Sequence, residues 1–226
     1  MEAGVSTRES VALFRDPVNG LTHFVGSLLA CMGLIFLIQE ASDPLRPWHL
    51  ATYSIFGTSM VLLYTTSTLF HWLPITEEET SRLRKLDHIM IFIFIASTYT
   101  PFCLIPFRGP FGVSVCVCIW IMAFLGSLYK LFWINTSRRV CIIVYVCVGW
   151  FALIGTGPVL QTLQPGAIFW LLTGGFFYST GAIVYATQKP DPFPLVFGHH
   201  EIFHILVMLG SGAHFWVIYR YVSVFE

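Results

Sequence analysis

Five residues carry the chemistry open to this chain: Ser67 and His71 close one apolar stretch, Asp87 opens the next, and His200 and His204 open the last. In H-E-I-F-H, His200 and His204 stand four apart, one helical turn and about 6 Å along an axis, so both imidazoles would leave one helix face. In S-T-L-F-H the same spacing sets Ser67 a turn deeper than His71. Three neutral imidazoles with a fourth position open suit Zn²⁺ in a catalytic rather than a closed structural site. Asp87 and Ser67 would then hold water or orient the ligands. A structural zinc supplies on the order of 10 kcal/mol, enough to offset several buried polar side chains. The six cysteines fall in apolar stretches with no C-x-x-C pair and behave as small apolar residues rather than ligands. H-E-I-F-H also fits the H-E-x-x-H pattern of zinc proteases, with Glu201 as the base. Such an enzyme wants a further carboxylate downstream, and the one acid after His204 is Glu226.

These residues need helices to carry them, and the composition says those helices lie in lipid. The chain is 56% hydrophobic and 11% charged with a mean hydropathy of +0.74, against about 25% charged in soluble domains. Apolar runs near 20 residues, long enough to cross a bilayer as a helix, fall at Leu21–Gln39, Leu50–Phe70, Ile89–Phe107, Phe111–Tyr129, Val140–Val159, Ile168–Ala186 and Ile202–Tyr219. The expected fold is an all-α integral membrane protein, a seven-transmembrane helix bundle forming one domain over residues 1–226. Pro101 should kink the third span rather than end it. The run Glu77-Glu78-Glu79 with Arg82, Arg84 and Lys85 reads as a solvated inner loop. Trp48, Trp72, Trp133 and Trp170 fall near span ends, as in an interfacial aromatic belt.

The basic residues set the orientation. With residues 1–20 as a cytoplasmic segment, the inner side holds Arg8, Arg15, Arg82, Arg84, Lys85, Lys130, Arg138, Arg139 and Lys189, and the outer side Arg46, Arg108 and Arg220. That bias favours an inner N-terminus and an outer C-terminus. Acids, arginines and a proline stand where a signal peptide needs an apolar core, so no cleaved leader is expected. The net charge of zero leaves no basic stripe for nucleic acid. On this topology His23, His71, His88, His199, His200 and His204 gather at the inner ends of spans. His88 and His199 are expected at the interface. His214 lies about 15 Å beyond His204 along the last helix, too far for the same ion, and reads as a satisfied interior histidine.

Four motifs in order resemble the hemolysin III group of the progestin and adipoQ receptor family over nearly the whole chain. They are D-P-V-N-G-L-T-H-F-V-G from Asp16, S-T-L-F-H from Ser67, L-D-H from Leu86 with T-Y-T-P-F from Thr98, and H-E-I-F-H-I-L-V-M-L-G-S-G-A-H-F from His200. The resemblance implies a seven-helix bundle with zinc near the cytoplasmic face, held by His71, His200 and His204. It implies that Asp87 holds the water of the site and that Ser67 supports it. Glu201 loses its protease role on this reading, because the family pattern asks only for H-x-x-x-H. Asp16, followed by Pro17, stands where relatives carry Glu. The implied activity, also suggested by likeness to alkaline ceramidase-like membrane hydrolases, is metal-assisted hydrolysis of a lipid amide or ester. Zinc would polarise the scissile carbonyl and lower the water pKa toward about 7, with Asp87 as base. Membrane lipids are the expected partners. The alternatives are a receptor or membrane-homeostasis sensor with a structural zinc, and a cytolysin. Short loops resemble those of bacterial members, which points to a bacterial inner membrane.

Overall fold

Prolines start four of the helices. α1 (Pro17–Ser42), α2 (Pro47–Trp72), α4 (Pro110–Phe132) and α7 (Pro165–Thr187) each carry Pro in the first turn, where its missing N–H has no intrahelical acceptor to lose. The remaining elements are α3 (Glu77–Leu104), α5 (Arg138–Gly149), a 3₁₀ stretch (Trp150–Gly155), α6 (Thr156–Thr162) and α8 (His199–Val217), which ends in a π turn (Ile218–Val222). A computed structural model describes residues 13–133, 137–194 and 196–226. Arg8, counted among the inner basic residues, lies outside that range, as do most of the positions behind the leaderless reading.

Among the described residues six stretches are long and apolar enough to cross a membrane: α1, α3, α4, the α5–α6 stretch Arg138–Thr162, α7, and α8 with its π turn. The chain is thus a multi-pass helical membrane protein. α2 matches them in length at 26 residues, but its eight Ser and Thr make it less apolar. That composition fits its place, because α2 packs between α1 and α3 and has buried residues over its whole length. Several of its hydroxyls bond within the protein, Thr68 to the Tyr64 carbonyl and Ser54 to the Leu50 carbonyl among them, so these need no water. Around it α1 also meets α8, α3 meets α4 and α5, and α7 meets α8. The core is built on Tyr53, Phe56, Phe94, Leu37 and Val217, while Leu28, Leu29, Ile121, Phe169 and Phe176 remain exposed as a lipid-facing surface should.

Three expectations are corrected. The charged run from Glu77 to Lys85 is not a loop but the start of α3. Thr76 and Glu79 form a capping box, the three glutamates sit where the helix dipole favours them, and Glu78 pairs with Arg82 one turn on. The fifth span is not one helix, for it breaks into the 3₁₀ stretch at Trp150. Gly149, Gly155 and Gly157 weaken the helix there, and Tyr99 of α3 takes up the backbone groups the break releases. Its hydroxyl donates to the Gly149 carbonyl at 2.6 Å and accepts from the Ala152 N–H at 2.9 Å. Pro101 lies in the last turn of α3, and the helix stops at Leu104, so the proline marks its end rather than a mid-span kink.

Candidate metal centre

His71 comes from the last turn of α2 and His200 and His204 from the first turns of α8. α1, packed against both helices, brings the start of its own chain to the same end. One ring nitrogen of each histidine lies within 4.8 Å of the others, and Nε2 of His71 and Nε2 of His200 are 3.3 Å apart. Two nitrogens on one tetrahedral zinc, each about 2.0–2.1 Å from it, stand about 3.3 Å apart. Two ring nitrogens at that distance either share one hydrogen, one imidazole donating to the other, or turn both lone pairs to a positive centre between them.

The outer nitrogens decide which atoms remain free. Asp16, immediately before α1, sets Oδ2 3.2 Å from His71 Nδ1, so His71 donates there and keeps Nε2 as an acceptor. That hydrogen bond, with Arg15 alongside, holds the Asp16 carboxyl below the ordinary carboxylate range. Thr22 Oγ1 lies 3.0 Å from His204 Nδ1 and gives its one hydrogen to the Asn19 carbonyl at 2.7 Å. A hydroxyl with its hydrogen so engaged can only accept, so His204 carries its proton on Nδ1 and offers Nε2. This outer set of carboxylate and hydroxyl is the arrangement that orients metal-bound imidazoles. The donor set fits a zinc ion.

Asp87 and Ser67 stand beside this cluster, on α3 and α2. Asp87 lies 3.9 Å from His88, and Asp87 and Ser67 both line the cavity onto which His71, His200 and His204 open. Glu201 turns away to the helix start, where its carboxylate accepts from the Gly198 N–H at 2.7 Å. H-E-I-F-H therefore uses its glutamate as a cap. His88 and His199, expected at the interface, also line the cavity, with His88 Nδ1 at 2.7 Å from the Arg84 carbonyl. His214 bonds the Gly210 carbonyl at 2.9 Å, deeper in the same space.

Sequence reasoning missed the α1 contribution beyond its motif. Besides Asp16 and Thr22 it supplies His23, stacked on His204 with ring centroids 3.6 Å apart and planes 13° apart, both its nitrogens without a hydrogen-bond partner among the described residues. Asn19, Thr22 and His23 fall at i, i+3 and i+4, the signature of one helix face; that spacing was the available signal. The cavity measures about 990 Å³ and is polar at the histidine end and apolar beyond it. Its lining on α3 runs from Arg84 to Cys103, about 28 Å of helix.

Residues 11–215 match the family model described as "Haemolysin-III related". The chain is 37% identical over 204 residues to the Hemolysin-3 homolog of Bacillus subtilis, covering 90% of this chain and 92% of that protein. It is 34% identical over 217 residues to Hemolysin-3 of Bacillus cereus, covering 96% and 95%. Against the monocyte to macrophage differentiation factor of Homo sapiens it is 26% identical over 231 residues, covering 97% and 89%.

Proposed function

The chain belongs to the haemolysin-III-related family, the hemolysin III group of progestin and adipoQ receptor proteins, and on that premise we propose that it is a zinc-dependent hydrolase of a lipid amide or ester. The observation behind this reading is that three convergent imidazoles cap the polar end of a long apolar cavity. His71, His200 and His204 would hold the ion through Nε2, with Asp16 and Thr22 keeping the His71 and His204 rings in that tautomer. Zinc, when bound, supplies Lewis acidity toward a carbonyl and a more acidic water. Asp87 takes the proton of the attacking water on its carboxylate and returns it to the amine or alcohol that departs as the C–N or C–O bond breaks, and Ser67 donates a hydrogen bond to that water or to the developing oxyanion. The apolar length of the cavity holds the lipid tail and keeps the reacting carbonyl in place. With an inner N-terminus and seven crossings, α2 being the seventh, this end of the bundle faces the cytoplasm and opens toward the inner leaflet of a bacterial inner membrane.

The test is elemental analysis of the detergent-purified chain beside a His200→Ala, His204→Ala variant, with folding followed by thermal melting. Near one zinc per chain in the first and none in the second is expected. Asp87→Asn should then lower turnover of a lipid amide or ester about a hundredfold or more with zinc retained. A folded wild type without metal would end the zinc reading. Full zinc with a silent Asp87→Asn would make the ion a structural staple and the chain a membrane sensor. The name of the Bacillus cereus relative, Hemolysin-3, favours cytolysis as a second reading. Dye release from liposomes by the purified chain would support it, and intact liposomes would remove it.

A further inference from the structure

Lys130, in the last turn of α4, is 2% exposed, and its ammonium meets the Cys141 thiol, Nζ to Sγ 2.6 Å. A thiol sulfur is a weak acceptor. Among the described residues no ion pair includes Lys130, and a buried ammonium without a counter-charge is costly. Its side chain lines the histidine end of the cavity together with Arg84 and Arg138. Arg138 lies over the Tyr185 ring, Cζ 5.0 Å from its centroid, and Tyr185 in turn sits 5.5 Å from the His200 ring. The acids at this end are already engaged: Asp16 by His71 and Arg15, while Asp87 has His88 beside it. Among the described residues no ion pair includes Lys130, Arg84 or Arg138, and the cavity gives an anion room.

We propose that Lys130, with Arg138 at the rim, binds the oxyanion headgroup, phosphate or carboxylate, of a membrane amphiphile whose tail lies in the apolar length of the cavity. The tail is what favours an amphiphile over a free ion, because the space below the cations is walled by Ile91, Phe94, Ile95 and Leu171. This inference deepens the hydrolase reading and rests on it for treating the bound lipid as substrate. The headgroup would be held by charge-assisted bonds within reach of the histidine cluster.

The test is equilibrium binding of two tail-matched fluorescent probes, pyrene-labelled phosphatidylglycerol and uncharged pyrene-labelled diacylglycerol, to the detergent-purified full chain. The wild type should bind the anionic probe more tightly. Lys130→Met should weaken it about thirtyfold, the low end for truncating one partner of a buried charge pair, and leave the diacylglycerol within about twofold. Arg138→Gln, at an exposed rim position, should act in the same direction with smaller size, which keeps the test decisive if Lys130→Met does not fold. Equal wild-type affinity for both probes, or equal weakening of both, would overturn the inference. Inorganic phosphate binding as tightly as the amphiphile would assign the site to a free anion and overturn it as well. A chain that hydrolyses no lipid yet shows this charge selectivity loses only the hydrolase reading. One that hydrolyses uncharged lipids and binds both probes alike keeps that reading and loses this inference.

Discussion

Replacing Thr22 by Val tests the tautomer logic of the site with little change in shape. In the wild type the Thr22 hydroxyl accepts from His204 Nδ1 at 3.0 Å, and His204 is only 2% exposed, so water cannot easily take over. The variant leaves two outcomes for that ring. Either Nδ1–H is left with the Asn19 carbonyl alone, a lost hydrogen bond worth about 0.5–1.5 kcal/mol, or the proton moves to Nε2 and blocks the metal-facing lone pair. Both lower metal affinity, and loss of such an outer partner is typically worth about 10–100-fold, or about 1.4–2.7 kcal/mol. The assay is competition between the purified chain and a chromogenic zinc chelator, with melting temperature recorded to confirm folding. Thr22→Ser, which keeps the hydroxyl, should bind as wild type. Asp16→Ala should cost less than Thr22→Val, because the Asp16 side chain is 43% exposed and water can replace its carboxylate at His71. A folded Thr22→Val with wild-type affinity, or a larger effect from Asp16→Ala, would refute the reasoning.

Two further changes probe the packing. At Gly112 a Cβ would run into the backbone carbonyls of Cys103 and Phe107, which no rotamer change can move, so Gly112→Ala should destabilise by about 1–3 kcal/mol; an unchanged melting temperature in detergent would count against that close approach. Tyr64 donates to Ser211 at 2.6 Å inside the bundle, where Tyr178 also reaches the same oxygen at 3.1 Å. Tyr64→Phe should therefore cost only about 0.6 kcal/mol, rising to about 1.7 at most, since Tyr178 remains for Ser211. A double-mutant cycle with Tyr178→Phe should show coupling, and strict additivity would indicate that the two tyrosines act independently.

Much of the fold was legible because its signals are local. Hydropathy alone marks the lipid-crossing stretches, and the four-residue spacing of His200 and His204 puts two imidazoles on one face wherever α8 lies. Even the corrections had local signs: Thr76 with Glu79 is a capping box written in the sequence, masked by the charge that suggested a loop, and Gly149, Gly155 and Gly157 announce the break in the fifth span. The seventh long helix, α2, reads as the apolar run Leu50–Phe70, but its eight Ser and Thr make it less apolar than the other six stretches. What the tertiary structure alone decided is partnership. Asp16 meets His71 across 55 positions and Thr22 meets His204 across 182, and Lys130 is buried where α4 packs on α3 and meets Cys141 of α5. No local pattern encodes those meetings. A hydroxyl, a carboxylate or an ammonium has the same propensity whatever faces it, and only the docking of α1 between α2 and α8 determines which ring nitrogen is held and which is left free.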